Sequence, residues 1–552
     1  MPQSGVEYLY RDADNGPESP PRYQKTIESG MIVERDVMIP MRDGIRLCAD
    51  IFRPVDEQPV PPIIGWTPYG KHVPIRPERY FDVGIHDGDL SPYTPFEAPD
   101  PTYWVPQGYA IVIVEVRGTW KSEGDALFLA PEEMDDIYDT IEWAAAQPWS
   151  SGKVGMSGVS YLAVMQWRIA ELNPPHLAAI NPWEGYTDSY RDTIKHGGIP
   201  DSWFRPAMYK RWGTGGQKLE DLAKEAAAHP FFDDYWETKN TKFDQIKVPA
   251  FVVSSWTDQG LHTRGTLKGF EKIASEQKWL YVHGDKKWRN YYLPESLAKL
   301  KVFFDHFLKG VDNEISQWPR VQYLVRDRTL IGTLRGSSDW PLPETKYRPL
   351  FLDAASGSLQ SSQPGTASQV SYNSVAEDGD PAQAVTFDYK FEKYTELVGH
   401  MKLKLWVAAA DADDMDLFVG IQKFDNFGNE VTFPYFMQFN DGVVALGWLR
   451  VSHRELDPEQ STPYQPFLLH RREQKLTPGE IVPVEIEIWP SGTAFHPGDT
   501  LRVVVQGSDI RKYDKQWAMY VRHELLVNQG KHTIYTGGPY DSHLLVPVTR
   551  EQ

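Results

Sequence analysis

Short apolar runs separated by helical patterns are the feature that most restricts the fold of this chain. Residues 109–116 are almost continuously apolar and rich in β-branched side chains, and residues 250–254 and 279–282 have the same character. Such runs are typical of strands that are buried on both faces of a parallel sheet. Residues 132–145, by contrast, carry apolar side chains at helical spacing. This alternation predicts an α/β domain with a parallel sheet over residues 33–315.

Two regions depart from this alternation. Residues 175–245 are rich in Trp, Tyr and charged side chains and contain no convincing core strand, which predicts a helical cap inserted over the sheet. After residue 335, short alternating runs are separated by Gly, Pro and Asp, which predicts a β-sandwich. The predicted boundaries are 1–32 for an N-terminal arm, 33–174 and 246–335 for the two parts of the α/β domain, 175–245 for the cap and 336–552 for the sandwich.

Charge and composition exclude several classes of protein. The 552 residues include 57 Lys and Arg against 76 Asp and Glu, a formal charge of −19, whereas a nucleic-acid-binding protein needs a basic surface. No apolar stretch approaches the roughly 20 residues of a membrane span, and residues 1–24 lack the apolar core of a signal peptide. We therefore expect a cytoplasmic protein with no nucleic-acid or membrane partner. The N-terminal arm is interpreted as a tail or a segment that lies on another subunit, so a homo-oligomer is one of the alternatives.

Two other features argue against a disulfide framework and a calcium site. Cys48 is the only cysteine and stands in an apolar run, so we expect a buried structural thiol. The acidic residues 411–416 lack the Gly and terminal Glu of an EF-hand loop, and we interpret them as a connection between strands.

The segment with the most chemical information surrounds Ser160. Residues 155–163 read Gly-Met-Ser-Gly-Val-Ser-Tyr-Leu-Ala, with a predicted strand before them and a predicted helix after them. A nucleophile elbow has this context, because small residues let the strand and the helix approach around the serine. Gly158 fits the usual spacing, but the second small residue, Ala163, comes three positions after the serine instead of two. Spacing alone leaves open a catalytic Ser160 or a Gly/Ser-rich turn, and Ser157 is a weaker candidate beside a bulky neighbour.

Residues 158–163 resemble the serine motif of the cocaine esterase / X-prolyl dipeptidyl aminopeptidase family of α/β-hydrolases. Residues 67–71, 117–124 and 303–310 resemble other segments of that family, in the same order. The resemblance implies that Ser160 is the nucleophile of a serine hydrolase that needs no cofactor and no metal. It also implies an α/β-hydrolase domain with an inserted helical cap, followed by an all-β jelly-roll sandwich.

The resemblance further suggests the acid and the oxyanion donors. Asp258 is the first carboxylate after the run 250–254, at the sheet edge where active sites of such folds lie. Without the resemblance, Asp258 would be interpreted as a residue that caps the next turn. The resemblance implies that Asp258 is the acid of the catalytic triad. Tyr69 matches the family's oxyanion tyrosine, although by itself it reads as a packing aromatic. The backbone N–H of Tyr161 follows the nucleophile and is the other predicted oxyanion donor.

The general base is the point at which this sequence departs from the family pattern. The family usually has a histidine just past the last core strand, where a residue-for-residue overlay puts Lys287. His283 ends that strand, and we predict it as the base. His262 is the alternative, although a residue only four positions after Asp258 would more naturally lie on the following helix. An altered site with no working base is the third interpretation.

These residues predict a hydrolase that cleaves a small-molecule ester or amide. Ser160 would attack the carbonyl carbon, His283 would take the proton, Asp258 would orient the histidine, and water would resolve the acyl-enzyme. Acyl transfer to another nucleophile uses the same residues. A non-catalytic binding protein is the alternative from another class, motivated by the displaced histidine.

Overall fold

The computed structural model describes residues 8–10, 19–56, 58–75, 82–209, 218–514 and 520–552. The first part of the predicted N-terminal arm, residues 1–7 and 11–18, lies outside the described residues. Within the described part of the arm, residues Gln24–Glu28 form a strand at the edge of the main sheet, paired with the strand that follows it.

The first domain is built on one sheet of eleven strands among the described residues. In chain order the strands are β1 Gln24–Glu28, β2 Met31–Pro40, β3 Arg46–Pro54, β4 Pro62–Thr67, β5 Ala110–Glu115, β6 Val154–Val159, β7 Leu177–Trp183, β8 Ala250–Ser255, β9 Lys278–His283, β10 Val321–Arg328 and β11 Ile331–Ser337. Their spatial order is β1-β2-β3-β5-β4-β6-β7-β8-β9-β10-β11. The seven strands from β5 to β10 in this order are parallel, as the apolar runs predicted, and antiparallel strands flank them.

Helices cover both faces of this sheet. They are α1 Pro131–Ala145, α2 Tyr161–Ala170, α3 Thr263–Lys272, α4 Lys287–Tyr292 and α5 Pro294–Lys309, with a short helix Pro101–Trp104 and 3₁₀ turns Val105–Gln107 and Glu314–Gln317. Pro131 opens α1 with two glutamates in its first turn, a favourable start for a helix. Two large hydrophobic clusters, one on each face, contain the buried residues of the sheet. Cys48 is buried, as predicted.

The segment between β7 and β8 corresponds to the predicted cap and is called the cap below. Its elements are a π-helical turn Tyr190–Ile194, helices Phe204–Tyr209, Leu222–Ala228 and Asp234–Glu237, a 3₁₀ turn Phe243–Gln245, and short strands Lys195–His196, Ile199–Pro200 and Lys218–Glu220, the last of which pairs with Tyr8–Tyr10. The expectation that residues 175–245 contain no core strand is wrong, because β7 lies inside the parallel sheet. Its Ala, Asn and Pro residues give a weak strand signal, and burial overrides that local preference.

The C-terminal domain consists of β-strands joined by turns. The strands are Lys346–Asp353, Ser358–Gln360, Ser368–Asn373, Ala384–Lys390, Thr395–Ala409, Asp416–Phe424, Glu430–Val431, Phe433–Tyr435, Phe439–Gly442, Ala445–Arg450, Val482–Phe495, Thr500–Gln506, Lys531–Thr536 and His543–Glu551, with 3₁₀ turns Pro381–Gln383 and Val451–His453. Their pairing is almost entirely antiparallel, and one hydrophobic core lies between them. In the described part of the chain, no helix has the length and apolar character to cross a membrane.

A buried arginine joins the two domains. Arg326 on β10 pairs in register with Thr493 of the C-terminal domain. Its Nη2 donates to the carbonyl of Val444 at 2.9 Å and to Oγ of Ser491 at 2.8 Å, and its guanidinium lies 4.2 Å from the ring centre of Phe433. Burial lowers the pKa of Arg326 to about 9. These contacts fix the C-terminal domain against the sheet edge where the functional residues collect.

Candidate active site

Ser160 occupies a strained turn between β6 and α2. Its backbone has φ 60° and ψ −116°, a conformation that non-glycine residues rarely adopt. The amide of Ser160 donates to the carbonyl of Trp183 at 3.1 Å, which ties the turn to the neighbouring strand β7. Strain of this kind at a strand-to-helix turn is the structural signature of a nucleophile elbow, which presents the side chain at the top of the sheet.

Small residues make this turn sterically feasible. A Cβ on Gly158, whose φ is +146°, would lie 2.6 Å from Cβ of Leu162. A Cβ on Gly185 would lie 2.8 Å from Cβ of Ala163. Ala163 therefore takes the role of the small residue after the serine, and Gly185 on the adjacent chain segment provides the remaining space.

His262 is the histidine that contacts the serine. Its Nε2 lies 3.2 Å from Oγ of Ser160, and its Nδ1 is hydrogen bonded to Oδ2 of Asp258. The turn between β8 and α3, in which Gly260 has φ +88°, creates this pairing, because the amide of His262 donates to the carbonyl of Asp258 at 3.2 Å. The ring of Tyr186 stacks against the imidazole, with ring centres 6.0 Å apart. Ser160, His262 and Asp258 thus form a continuous hydrogen-bonded chain.

The expectation that His283 contacts Ser160 is not met, and this corrects the predicted base. Nε2 of His283 lies 3.0 Å from Oε1 of Glu184, and both side chains are buried. As the last residue of β9, His283 pairs in register with Ser255 on β8. The hydroxyl of Ser255 donates to Oε2 of Glu184 at 2.8 Å. His283 therefore belongs to a separate buried pair beside the Asp258–His262 pair.

Lys287, which the overlay placed near the usual base, lies directly against the Asp258–His262 pair. Its Nζ is 2.9 Å from Oδ2 of Asp258 and 3.2 Å from Nδ1 of His262. Burial is the largest cause that lowers the pKa of His262, to about 3; Lys287 adds to this effect and Asp258 opposes it. Burial alone would raise the pKa of Asp258, but the charges of Lys287 and His262 outweigh it and hold that pKa below its usual range.

Tyr69 lies at the site as the sequence predicted. Its hydroxyl interacts with the side chains of Ser160 and Glu97, and burial is the main reason that its pKa is raised well above the usual value. The turn that carries it is tightly fixed: a Cβ on Gly70, whose φ is +96°, would lie 2.6 Å from the ring of Trp120. The ammonium of Lys71, also buried, lies 3.0 Å from a carboxylate oxygen of Asp36.

The backbone of Tyr161 completes the neighbourhood of the serine. Tyr161 is the first residue of α2, so its N–H lies at the positive end of the helix dipole, directly after Ser160. Its side chain points away to Glu133, to whose Oε1 the phenol donates at 2.7 Å. The amide, and not the phenol, is therefore the group available to the serine side of the helix.

Glu97 is a functional candidate that the sequence did not reveal. Its carboxylate accepts a hydrogen bond from the indole of Trp288 at 2.8 Å, and its backbone carbonyl accepts from the amide of Val159 at 3.0 Å. Its φ of +65° is strained for a non-glycine residue. Burial raises the pKa of Glu97 to about 8, although Lys287 and two hydrogen bonds partly oppose the shift. No local pattern marks this residue, because its role depends on contacts distant in sequence.

The cap and the C-terminal domain supply the walls of the site. The amide of Phe436 donates to the carbonyl of Thr257 at 2.8 Å, and its ring packs edge-to-face on Phe204 of the cap at 5.3 Å. A cavity of about 440 Å³ lies within the cap, with Arg205 in its lining. The guanidinium of Arg205 lies 4.6 Å from the ring centre of Tyr186, which itself stacks on the imidazole described above. The lining of this cavity does not include Ser160, His262 or Asp258.

A cluster of acidic and basic side chains lies beneath the serine. Carboxylate oxygens of Glu184 and Asp258 and a ring nitrogen of His262 lie within 4.8 Å of one another. The ammonium of Lys287 already provides a positive charge there. We assign no metal to this cluster.

Comparisons with known proteins identify the family. Residues 43–286 match the X-Pro dipeptidyl-peptidase (S15 family) model, and residues 313–545 match the X-Pro dipeptidyl-peptidase C-terminal non-catalytic domain. The structure of a CocE/NonD family hydrolase from Staphylococcus aureus has 45% sequence identity, covers 98% of each chain and gives a TM-score of 0.91. The chain belongs to the CocE/NonD family of hydrolases. The family predicted from the motifs is confirmed, and this CocE/NonD protein is a serine hydrolase.

More distant relatives agree with this assignment. Cocaine esterase from Rhodococcus sp. (strain MB1 Bresler) is 25% identical over an alignment that covers 95% of this chain and 100% of the relative. A putative Xaa-Pro dipeptidyl-peptidase from Bacillus anthracis is 24% identical and aligns with 52% of this chain and 54% of its own. An alpha-amino acid ester hydrolase, 18% identical with a TM-score of 0.71, shares the fold over 99% of each chain. The fold is an α/β-hydrolase domain followed by a C-terminal β domain.

Proposed function

We propose that Ser160, His262 and Asp258 form the catalytic triad of this hydrolase. The observation that carries the proposal is the 3.2 Å approach of His262 Nε2 to Ser160 Oγ, with Nδ1 of the same ring bonded to Asp258. In a triad, the imidazole takes the proton of the serine while the carboxylate holds the ring and stabilises the imidazolium. The strained turn at Ser160 supports the assignment independently.

The proposed reaction proceeds through an acyl-enzyme. Ser160 Oγ attacks the carbonyl carbon of an ester or amide and loses its proton to His262. The hydroxyl of Tyr69 and the N–H of Tyr161 donate to the oxyanion, and preorganised donors of this kind are each worth about 10²–10³ in rate. His262 then protonates the leaving group, and a water molecule activated by the same imidazole hydrolyses the acyl-enzyme.

The proposed substrate is a small molecule with an apolar group beside the scissile bond. We infer the apolar group from the cap, whose cavity is lined in part by Leu222, Ala223 and Ala226. Phe204 of the cap also packs on Phe436, whose amide donates to the carbonyl of Thr257, the residue before Asp258. The relatives named as a cocaine esterase and as dipeptidyl-peptidases are consistent with an ester or an acyl-amide.

Several expectations from the sequence stay proposals. They are the jelly-roll arrangement of the C-terminal domain, the domain boundaries given above, a cytoplasmic location, the lack of nucleic-acid and membrane partners, and a homo-oligomer. The non-catalytic alternative was motivated by the distance of His283 from the family's usual base position. The contact of His262 with Ser160 removes that motive and favours the hydrolase.

Labelling with a fluorophosphonate probe tests the proposed nucleophile. We expect the wild-type protein to be labelled at a single residue, Ser160, and Ser160→Ala to remain unlabelled, as measured by intact mass and peptide mapping. Ser157→Ala is a matched control in the same strand, and it should be labelled like wild type. Equal labelling of Ser160→Ala, or none of the folded wild-type protein, would contradict the proposal.

A further inference from the structure

Lys287 is a buried amine that no step of the proposed reaction uses. It opens α4, four residues after β9 ends, and its side chain is only 1% exposed. Burial of an ammonium group is costly unless the charge has a partner. Its partner is Oδ2 of Asp258 at 2.9 Å, and Nδ1 of His262 lies 3.2 Å away; both groups belong to the proposed triad.

The donor chemistry of lysine restricts what this contact can do. An ammonium group has three donors and no acceptor, so it cannot accept the proton that His262 carries on Nδ1. The same carboxylate oxygen of Asp258 accepts from both the lysine and the imidazole. Lys287 therefore holds the carboxylate oxygen that also binds the imidazole, and its charge lies next to the ring that must become cationic during the reaction.

The charges around His262 come from several elements. Asp258 follows β8 and Glu184 follows β7, and their carboxylates favour a protonated ring. Lys287 on α4 and Arg205 of the cap oppose it with positive charge. The neutral ring of Tyr186 and the hydroxyl of Ser160 complete the surroundings. Of these two cations, Lys287 contacts the Asp258–His262 pair directly, at 2.9 Å from Asp258 Oδ2.

We propose that Lys287 is a positioning residue that holds the Asp258 carboxylate and, through its positive charge, sets the acid limit of the enzyme's working pH range. The inference rests on the proposed triad. A cation about 3 Å from the imidazole disfavours protonation of the free enzyme, so the base stays neutral and able to accept the serine proton in acid solution. Asp258 offsets this charge during catalysis, when the imidazolium forms.

The pH dependence of kcat/KM tests this role, because its acid limb reports the base of the free enzyme. We would measure hydrolysis of p-nitrophenyl acetate by wild type, Lys287→Met and Lys287→Arg. For Lys287→Met we expect the acid limb to move to higher pH by about one unit or more. For Lys287→Arg, which keeps the charge, we expect a limb within a few tenths of a unit of wild type.

Two results would overturn the inference. One is a Lys287→Met enzyme that loses kcat while its acid limb stays in place, since a purely structural role predicts that pattern. The other is a wild-type acid limb at or above about pH 6.5, the ordinary pKa of histidine, and this measurement needs no variant. Lys287→Gln serves if the Met variant does not fold, as judged by its melting curve. Failure of the triad itself is recognised separately, by activity that survives in Ser160→Ala.

Discussion

Two buried pairs of a carboxylate and an imidazole lie side by side in this hydrolase, and they differ in what they reach. Asp258 and His262 connect to Ser160, whereas Glu184 and His283 connect to each other and to Ser255. Both acids follow neighbouring parallel strands. The difference arises in the histidines, because His262 is the N-cap of helix α3 and His283 is the last residue of β9.

This contrast shows that proximity to a strand end does not by itself make a catalytic base. The side chain of a strand residue points as the pleat dictates, and His283 pairs in register with Ser255. The turn between β8 and α3 folds the chain back, so that the amide of His262 donates to the carbonyl of Asp258 while the imidazole of His262 extends from the Asp258 carboxylate to the serine. The conformation of the turn after the strand, more than the strand itself, determines which histidine reaches the serine.

The largest expected effect is the loss of His262. We expect His262→Ala to lower kcat/KM for a p-nitrophenyl ester by about 10⁴-fold or more, similar to Ser160→Ala, because triad members act as a unit. Steady-state kinetics on folded, matched preparations measure it.

The double variant Ser160→Ala/His262→Ala is the matched control for that measurement. It should be hardly slower than either single variant, since the loss of one triad member already removes the function of the other. Additive losses, or a His262→Ala enzyme within about tenfold of wild type, would show that the contact between the two side chains is not catalytic.

An intermediate effect is expected at the oxyanion site. Tyr69→Phe should lower kcat by about 10²–10³ with little change in KM, because a donor to the oxyanion acts mainly in the transition state. Tyr161→Phe is the control: it removes a phenol that donates to Glu133 and leaves the amide donor in place. A rise in KM with kcat unchanged would instead make Tyr69 a substrate-binding aromatic.

Much of the fold was predictable because its signals are local. The apolar runs 109–116, 250–254 and 279–282 lie in or overlap the core strands β5, β8 and β9, and the pattern at 132–145 is helix α1. The strand β7 was missed because Asn181 and Pro182 weaken its sequence pattern. In the structure its residues are almost all buried and pair with the neighbouring parallel strand, and these contacts stabilise it.

The positions of site residues could be predicted where one short segment of sequence determines the local backbone conformation. Ser160 lies in its own strand–turn–helix segment, and Asp258 follows an obvious strand. The base was not predictable in this way, because its identity depends on the backbone path after Asp258. The four-residue spacing of Asp258 and His262 was the available signal, and it becomes informative only once the turn at Gly260 is known. Glu97 and Phe436 reach the site through contacts distant in sequence.

The smallest effect on catalysis, and a clear effect on stability, is expected for the second pair. His283→Gln should change kcat/KM by less than about tenfold, far below the loss expected for a triad member. It should also lower the free energy of unfolding by about 3–5 kcal/mol, because Glu184 loses its partner in a buried site. Urea unfolding at neutral pH, followed by tryptophan fluorescence, measures the stability.

The double variant Glu184→Gln/His283→Gln separates the two roles further. With both members neutral, no unpaired charge stays buried, so the double variant should recover part of the stability that His283→Gln loses. Burial already raises the pKa of Glu184, and protonation of this carboxyl at acid pH should likewise narrow the stability gap between wild type and His283→Gln. If His283→Gln abolished hydrolysis as His262→Ala is expected to, while its unfolding midpoint stayed at the wild-type value, the two pairs would have to exchange roles and His283 would become the base.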